Sequence, residues 1–355
     1  MNPMRNWEWT SPEGASFPLE LPRWQGPEAH LLTARFLGLF QNELVDARQP
    51  GFWRYHRVLP IFNLKDCVSF GEGLTPLVHE VWENQPLQFK LEYLFPSGSY
   101  KDRGASVLVS KMKEWGIAHF VEDSSGNAGC ALATYAAKAG IKATIFVSSQ
   151  AQPAKIAHMQ RVGAEVVLVE GNRADVAERA LVASKDAFYG SHVWNTWFMH
   201  GTKTFAYEVW EQTAGQLPEH IFFPVGNGTL LLGSFLGFTE LKRAGLIAKM
   251  PKLHAVQSVL CPGLLGVPAG LPKTKADGIA IASPLRKAEI LGAIAVSGGQ
   301  IYTVTEEEIE AAQYHLAQRG HWVEFTGAAG FAGFIKAGTP AQSLIPLTGH
   351  GLKGM

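Results

Sequence analysis

The sequence predicts an α/β protein of two lobes, each a mostly parallel sheet covered by helices. Three observations predict it. From residue 87 onward short β-rich runs alternate with helical patterns. The β-rich runs are apolar nearly throughout, which suits strands covered on both faces. A second alternating series starts near residue 201. The length, 355 residues, agrees with about two domains of ~100–200 residues each.

In order, "LQFKLEY" (87–93) reads as a strand and "GASVLVSKMKEWG" (104–116) as a helix ending in glycine. "HFVED" (119–123) is a strand, and "NAGCALATYAAKAG" (127–140) an Ala-rich helix with a glycine stop. "KATIFVS" (142–148) is a strand, "PAKIAHMQRVG" (153–163) a helix opened by proline, and "EVVLVE" (165–170) a strand. The second series runs from "GTKTFAYEVWEQTAG" (201–215) through "HIFFPVGNG" (220–228) to "IPLTGHG" (345–351). The first 80 residues are less periodic and rich in Trp and Pro, and are expected to wrap the second lobe. Within them only "VSFGEGLTPLVHEV" (68–81) has the look of a site loop.

Composition narrows the function classes. Hydrophobic residues are 46% and charged residues 17%, enough apolar material for a compact interior. Lys+Arg and Asp+Glu both number 31, so no electrostatic case exists for nucleic acid or an anionic membrane. The short cluster "LKRAGLIAKMPK" (241–252) reads as a solvated helix end. Cys67, Cys130 and Cys261 are widely spaced, giving neither a disulfide framework nor a metal knuckle. The amino terminus lacks the apolar core of a signal peptide, and "GTLLLGSFLGF" (228–238) is too short to span a membrane. The expectation is a soluble, cytoplasmic protein without a metal, a nucleic-acid partner or a membrane partner.

Ligands of α/β sheets collect where strand carboxyl ends meet helix amino ends, and three such turns are unusual. "PSGSYKDRG" (96–104) carries Lys101; "EDSSGNAG" (122–129) offers small hydroxyls and Asn127; "FPVGNGTLLLG" (223–233) could cradle an anion on backbone N–H groups. Singly, each has a plain structural explanation: a surface lysine, a helix cap, a packing turn. Together they supply an amine, a hydroxyl and amide loop, and an anion cradle. Water keeps a lysine protonated near pKa ~10.4, so a reactive amine needs desolvation or a neighbouring cation. Bonding to an aldehyde answers that need, and pyridoxal phosphate carries aldehyde, phosphate and electron sink in one molecule.

These residues resemble the fold-type II (tryptophan synthase beta-like) pyridoxal-phosphate enzymes, most of all the threonine synthases. The likeness runs through "FWRYHRVLP" (52–60), "GEGLTPLV" (71–78), "KLEYLFPSGSYKDRG" (90–104), "EDSSGNAG", "GTKTFAYEVWEQ" (201–212), "FPVGNG" and "LTGHGLK" (347–353), in the family's order. It implies a large cofactor-binding lobe from 1–103 and 200–355 and a small mobile lobe from 104–199. It further implies that Lys101 bonds the cofactor aldehyde and shuttles protons, and that Asn127 holds the ring oxygen. Gly226, Asn227, Gly228 and Thr229 would bind the cofactor phosphate, and Thr348 would face the ring nitrogen. Ser124, Ser125, Gly126 and Ala128 would lie along the substrate carboxylate, and Asp102 and Arg103 would anchor the loop. A homodimer is a further family expectation.

Where the family has Arg-Leu-Glu-Gly-Gln-Lys-Thr, this chain has Phe198-Met199-His200-Gly201-Thr202-Lys203-Thr204. The family arginine grips the phosphate of O-phosphohomoserine. A phenyl ring cannot replace its charge-assisted bonds, worth roughly 1.5–3 kcal/mol each, or about a hundredfold in affinity for two. Lys155, Arg161 or Lys203 could compensate. Phe198 and His200 are therefore expected to face substrate, as an aromatic wall and a proton-transfer group. A structural histidine is the competing role for His200. Ala128 stands where the family commonly has a hydroxyl, and the zinc-ribbon cysteines of some members are absent.

The expected function is a lyase or synthase eliminating at the β or γ carbon of a small L-amino acid, as in conversion of O-phosphohomoserine to threonine and phosphate. Serine/threonine dehydratase or diaminopropionate ammonia-lyase chemistry is the alternative. A non-catalytic cofactor-holding or amino-acid-sensing protein is the alternative of another class.

Overall fold

The computed structural model describes residues 6–268 and 273–354. Near the amino terminus β1 (Trp7–Thr10) and β2 (Thr33–Phe36) pair antiparallel. Next, β3 (Leu77–Trp82) and β4 (Gln85–Lys90) form a hairpin. Its two turn residues, Glu83 and Asn84, both take positive φ, as a tight two-residue turn demands. Helix α1 (Lys101–Glu114) starts at the lysine itself, three residues earlier than the sequence pattern suggests. Asp102 in its first turn favours that start, being an anion at the positive end of the helix.

Then follow β5 (His119–Glu122), α2 (Asn127–Ala139), β6 (Lys142–Ser148), α3 (Pro153–Arg161) and β7 (Glu165–Val169), within a residue or two of expectation. Helix α4 (Arg173–Ala183), not anticipated, is opened by a capping box between Asn172 and Asp175. After β8 (Phe188–Tyr189), the stretch 201–215 that opens the second series falls on the end of α5 (Thr196–Thr202) and on α6 (Thr204–Gln212). The remainder alternates as β9 (His220–Pro224), α7 (Thr229–Arg243), β10 (Lys252–Ser258), α8 (Lys287–Ser297) and β11 (Ile301–Val304). It closes with α9 (Glu306–Ala317), α10 (Phe325–Lys336) and β12 (Ser343–Pro346).

These elements form two compact units, one of residues up to Gly73 with Lys101–Thr202, the other of Leu74–Tyr100 with Lys203 onward. In the first, four parallel strands are ordered β7-β6-β5-β8. The amino-terminal segment groups with this unit. The reason is aromatic packing. Trp9 stacks on Trp115 with centroids 6.0 Å apart and lies 5.0 Å from Trp197. Trp53 Nε1 donates to Ser106 Oγ at 3.0 Å, and Val68 N to Ser110 Oγ at 2.8 Å, fastening the segment to α1. Indole surfaces of this size dominate core energetics, and their N–H groups seek partners.

In the same unit α1 and α5 touch closely. A Cβ on Gly201 would lie 2.0 Å from the Arg103 carbonyl oxygen, and one on Gly104 would lie 2.3 Å from the Phe198 ring. Only glycines allow this approach.

The second unit holds six strands ordered β11-β10-β9-β12-β4-β3, parallel except for β3. Three adjacent parallel strands, β9, β12 and β4, run in sequence into the GNGT turn, Thr348 and the lysine turn. Their carboxyl ends lie side by side, where α/β sheets bind ligands. No helix among the described residues is long and apolar enough to cross a membrane.

Candidate active site

The second unit builds the turn that delivers the lysine. The segment after β12 runs antiparallel to residues 98–100: Ser99 bridges Gly349, Tyr100 N donates to Thr348 O at 3.0 Å, and His350 N donates to Gly98 O at 2.9 Å. Lys353 Nζ donates to the Ser97 carbonyl. The chain's last residues thus fasten the turn along its length. Behind it, buried Lys90 bonds Glu208 at 2.8 Å and the Thr75 carbonyl at 2.6 Å, while Thr75 Oγ1 donates to Glu92 at 2.7 Å. This network secures the 74–76 end of the stretch read from sequence as a site loop.

The same unit carries the turn expected to cradle an anion. The turn 226–228 joins β9 to the fifteen-residue helix α7, whose first N–H groups have no acceptor in their own helix. Gly228 has φ +71 and lies against Ile290, so a side chain is excluded twice over. Thr229 opens the helix fully buried, and its Oγ1 is 3.2 Å from the Tyr100 hydroxyl. Thr348 is 1% exposed, and its Oγ1 has no hydrogen-bond partner among the described residues. A buried hydroxyl left unpaired is costly. A ligand's ring nitrogen would satisfy it, so the residues present fit a phosphorylated pyridine cofactor.

The first unit holds Lys101 and the serine loop. Lys101 Nζ lies 5.9 Å from the Phe198 ring centroid. The next two side chains, Asp102 and Arg103, are fully buried. Asp102 bears on buried Tyr135 of α2, whose phenol is pushed well up by burial first and then by Asp102 and Glu72. Glu72 itself accepts from Ser69 Oγ at 2.8 Å and Phe70 N at 2.5 Å. In the turn from β5 to α2, Ser124 is buried and Ser125, Gly126 and Asn127 are half-buried. Ser124 Oγ accepts from Gly126 N at 3.4 Å, and Gly126 caps the thirteen-residue helix. Ala128 is buried and offers only a methyl group.

Two expected substrate-facing residues are enclosed by protein. Phe198 is fully buried against Gly104 and lies 5.5 Å from the His192 ring. His200 is fully buried too: its Nε2 bonds the Ala34 carbonyl at 3.0 Å and its ring meets Trp7 edge-on at 4.8 Å. Residues of the two amino-terminal strands, Trp7 and Ala34, thus pack against the His200 ring. Of the cations considered in place of the missing arginine, Lys203 is buried and bonded to both Glu240 oxygens at 3.0 and 3.1 Å. Lys155 is buried as well, and Arg161 is exposed at the end of α3.

Sequence reasoning missed a buried pair near the lysine. His192 Nδ1 lies 2.8 Å from Glu122 Oε1, and the backbone N of His192 donates to Oε2 at 3.2 Å. Burial pushes the Glu122 carboxyl well up, with Asp123 adding to it. Burial pushes the His192 imidazole well down, helped by the charges of Lys101 and Arg173. Seventy residues separate the two, so no local pattern announces them. Tyr100 was missed for a similar reason, since its hydroxyl partner is 129 residues away.

A family model described as "Pyridoxal-phosphate dependent enzyme" matches residues 68–349. The threonine synthase of Methanosarcina acetivorans is 33% identical over 327 residues, covering 86% of this chain and 80% of its own length. That of Mycobacterium tuberculosis is 32% identical over 315 residues, covering 84% and 87%. Among solved structures, the T.th. threonine deaminase superposes with a TM-score of 0.67 at 26% identity, covering 78% of this chain and 92% of that one. Maize serine racemase, at 20% identity and a TM-score of 0.67, covers 78% of this chain and 88% of its own and shares the fold.

Proposed function

The chain belongs to the pyridoxal-phosphate dependent enzymes, and from that premise we propose that it is a lyase or synthase of the threonine synthase type. It would act on a small L-amino acid by elimination at the β or γ carbon, with O-phosphohomoserine as substrate and threonine and phosphate as products. The observation that carries the reading is Lys101 as first residue of α1, delivered by a turn that the Thr348–His350 segment pairs with. When bound, pyridoxal phosphate supplies an aldehyde for an amine and a conjugated ring that stores an electron pair.

The chain's own residues would do the rest. Lys101 Nζ would hold the cofactor at rest, then take and return the proton at the substrate's Cα. The Ser124-Ser125-Gly126 turn and the start of α2 would bind the substrate carboxylate, where N–H groups and the helix dipole favour an anion. Asn127 would hold the ring oxygen, and Gly226, Asn227, Gly228 and Thr229 the phosphate. Thr348 Oγ1 would meet the ring nitrogen as a neutral partner, which tempers the electron sink relative to a carboxylate.

One observation favours a second reading, elimination from an uncharged substrate such as serine or threonine to give a 2-oxo acid. The residue in the phosphate-gripping position, Phe198, is apolar and enclosed, and Lys203 is already paired with Glu240. The test is to add O-phospho-L-homoserine to the purified, cofactor-loaded protein while following the visible absorption, threonine and phosphate. Threonine formation with a transient spectral change supports the first reading. A spectrum indifferent to that compound, with 2-oxo acid formed from L-serine or L-threonine, overturns it in favour of the second.

A further inference from the structure

Tyr100 bears a hydroxyl that the proposed roles leave unused, one residue before the lysine. Its backbone hydrogen bond to Thr348 sets the two residues opposite each other in an antiparallel pair. Opposed residues project to one face. On that face lie the phenol of Tyr100 and the unpartnered, buried hydroxyl of Thr348. The phenol reaches Thr229 Oγ1 at 3.2 Å, at the first position of α7. The Tyr100 and Thr229 hydroxyls thus meet directly, and Thr348 follows β12 on the segment paired with Tyr100.

From this geometry we infer that Tyr100 is a positioning residue for the cofactor's phosphate, acting through Thr229. The inference rests on the proposal that the 226–229 turn binds that phosphate. A threonine hydroxyl has one proton and two acceptor sites, and rotates to suit its partners. Either oxygen can donate in this pair; the inferred arrangement has the phenol donating to Oγ1, which fills one acceptor site and leaves the Thr229 proton for an anion in the cradle. A hydroxyl that accepts one bond is polarised and donates the next more strongly. Loss of the phenolic proton removes this polarising contact, so the Thr229 bond to the anion weakens without any change in the cradle's backbone.

The test compares dissociation constants for pyridoxal phosphate and for pyridoxal, which lacks the phosphate, by visible-absorption titration of the full chain. The variants are Y100F, T229V and the double variant. The expected result is a loss of about tenfold in pyridoxal phosphate affinity for Y100F, the size of one weakened hydrogen bond to a charged group. Pyridoxal affinity should hold, and Y100F should add nothing further in the T229V background. Equal weakening of both ligands by Y100F would mean a general packing role and overturns the inference, as does an undiminished effect beside T229V. If wild type itself binds both ligands equally, the phosphate cradle falls, and the inference with it. If wild type discriminates and Y100F discriminates just as well, the Tyr100 role alone falls.

Discussion

Replacing Gly201 with alanine sets two effects of opposite sign against each other. In an exposed helix interior, Gly→Ala stabilises by about 1 kcal/mol, because glycine loses more backbone freedom on folding. At Gly201 the added Cβ would lie 2.0 Å from the Arg103 carbonyl oxygen and 2.7 Å from the Gly104 Cα. Both obstacles are backbone and cannot rotate aside. Ordinary contact begins near 3.4 Å, so α5 and α1 must part by more than an ångström. Overpacking of a tight core costs typically ~1–3 kcal/mol, and a backbone clash belongs at the upper end. The steric term wins, and G201A should lose about 2 kcal/mol net of the propensity gain. Gly292 in α8 is the control: it is exposed, with nothing within 4 Å of its would-be Cβ. G292A should therefore gain about 0.5–1 kcal/mol. Urea unfolding of both variants at fixed cofactor concentration measures the two signs. Because Lys101 opens α1, the visible absorption of G201A should shift as well. A G201A protein as stable as G292A would refute the argument that this helix contact requires glycine.

Lys101→Ala should abolish covalent retention of the cofactor after borohydride reduction, read by intact mass. Turnover should drop by at least ~100-fold, the usual scale for losing an acid–base group; retained mass addition would reassign the lysine. Phe198→Ala empties a fully buried ring site and should cost about 3–5 kcal/mol in urea unfolding; a cost below ~1 kcal/mol would mean the ring is dispensable to the packing. For His254, burial first and then the charge of His220 depress the imidazole from 6.5 to about 4. Its Nδ1 accepts from Gln300 N at 3.1 Å, and its Nε2 lies 2.9 Å from His220 Nδ1. The unfolded chain binds this proton first, so the stability it contributes is full above pH 6.5 and drains as pH falls towards about 4. His254→Gln should flatten the fall in urea midpoint between pH 7 and pH 5 relative to wild type; an unchanged slope would remove His254 as its source.

Much of the fold was legible because its signals are local. Gly140 and Gly163 take positive φ where the α2 and α3 patterns stop, and Pro153 opens α3. The apolar run of β6 is buried almost end to end, as a covered parallel strand must be. Lys101, Asn127 and the 226–229 turn could be singled out because each joins a strand to a helix within a few residues. Two elements escaped for equally local reasons. The β3–β4 turn uses Glu and Asn at positive φ in place of glycine. The capping box of α4 follows a polar stretch with little apolar period.

What the sequence by itself determined was the alternation of elements, the placing of Lys101 and of the 226–229 stretch at strand-to-helix turns, and the family to which the chain belongs. All of these are written in spacings of a turn or two. The tertiary structure alone decided which distant surfaces meet: Trp7 and Ala34 closing over His200, Phe198 wedged against Gly104, Glu122 paired with His192, and Tyr100 reaching Thr229. It also decided that the amino-terminal segment packs with residues 101–202, through indoles whose partners lie about a hundred residues or more away. The physical reason is the range of the forces that leave marks on a sequence. Backbone propensity and helix capping act between near neighbours and repeat with a fixed period, whereas burial rewards any apolar surface that fits another, at whatever separation along the chain.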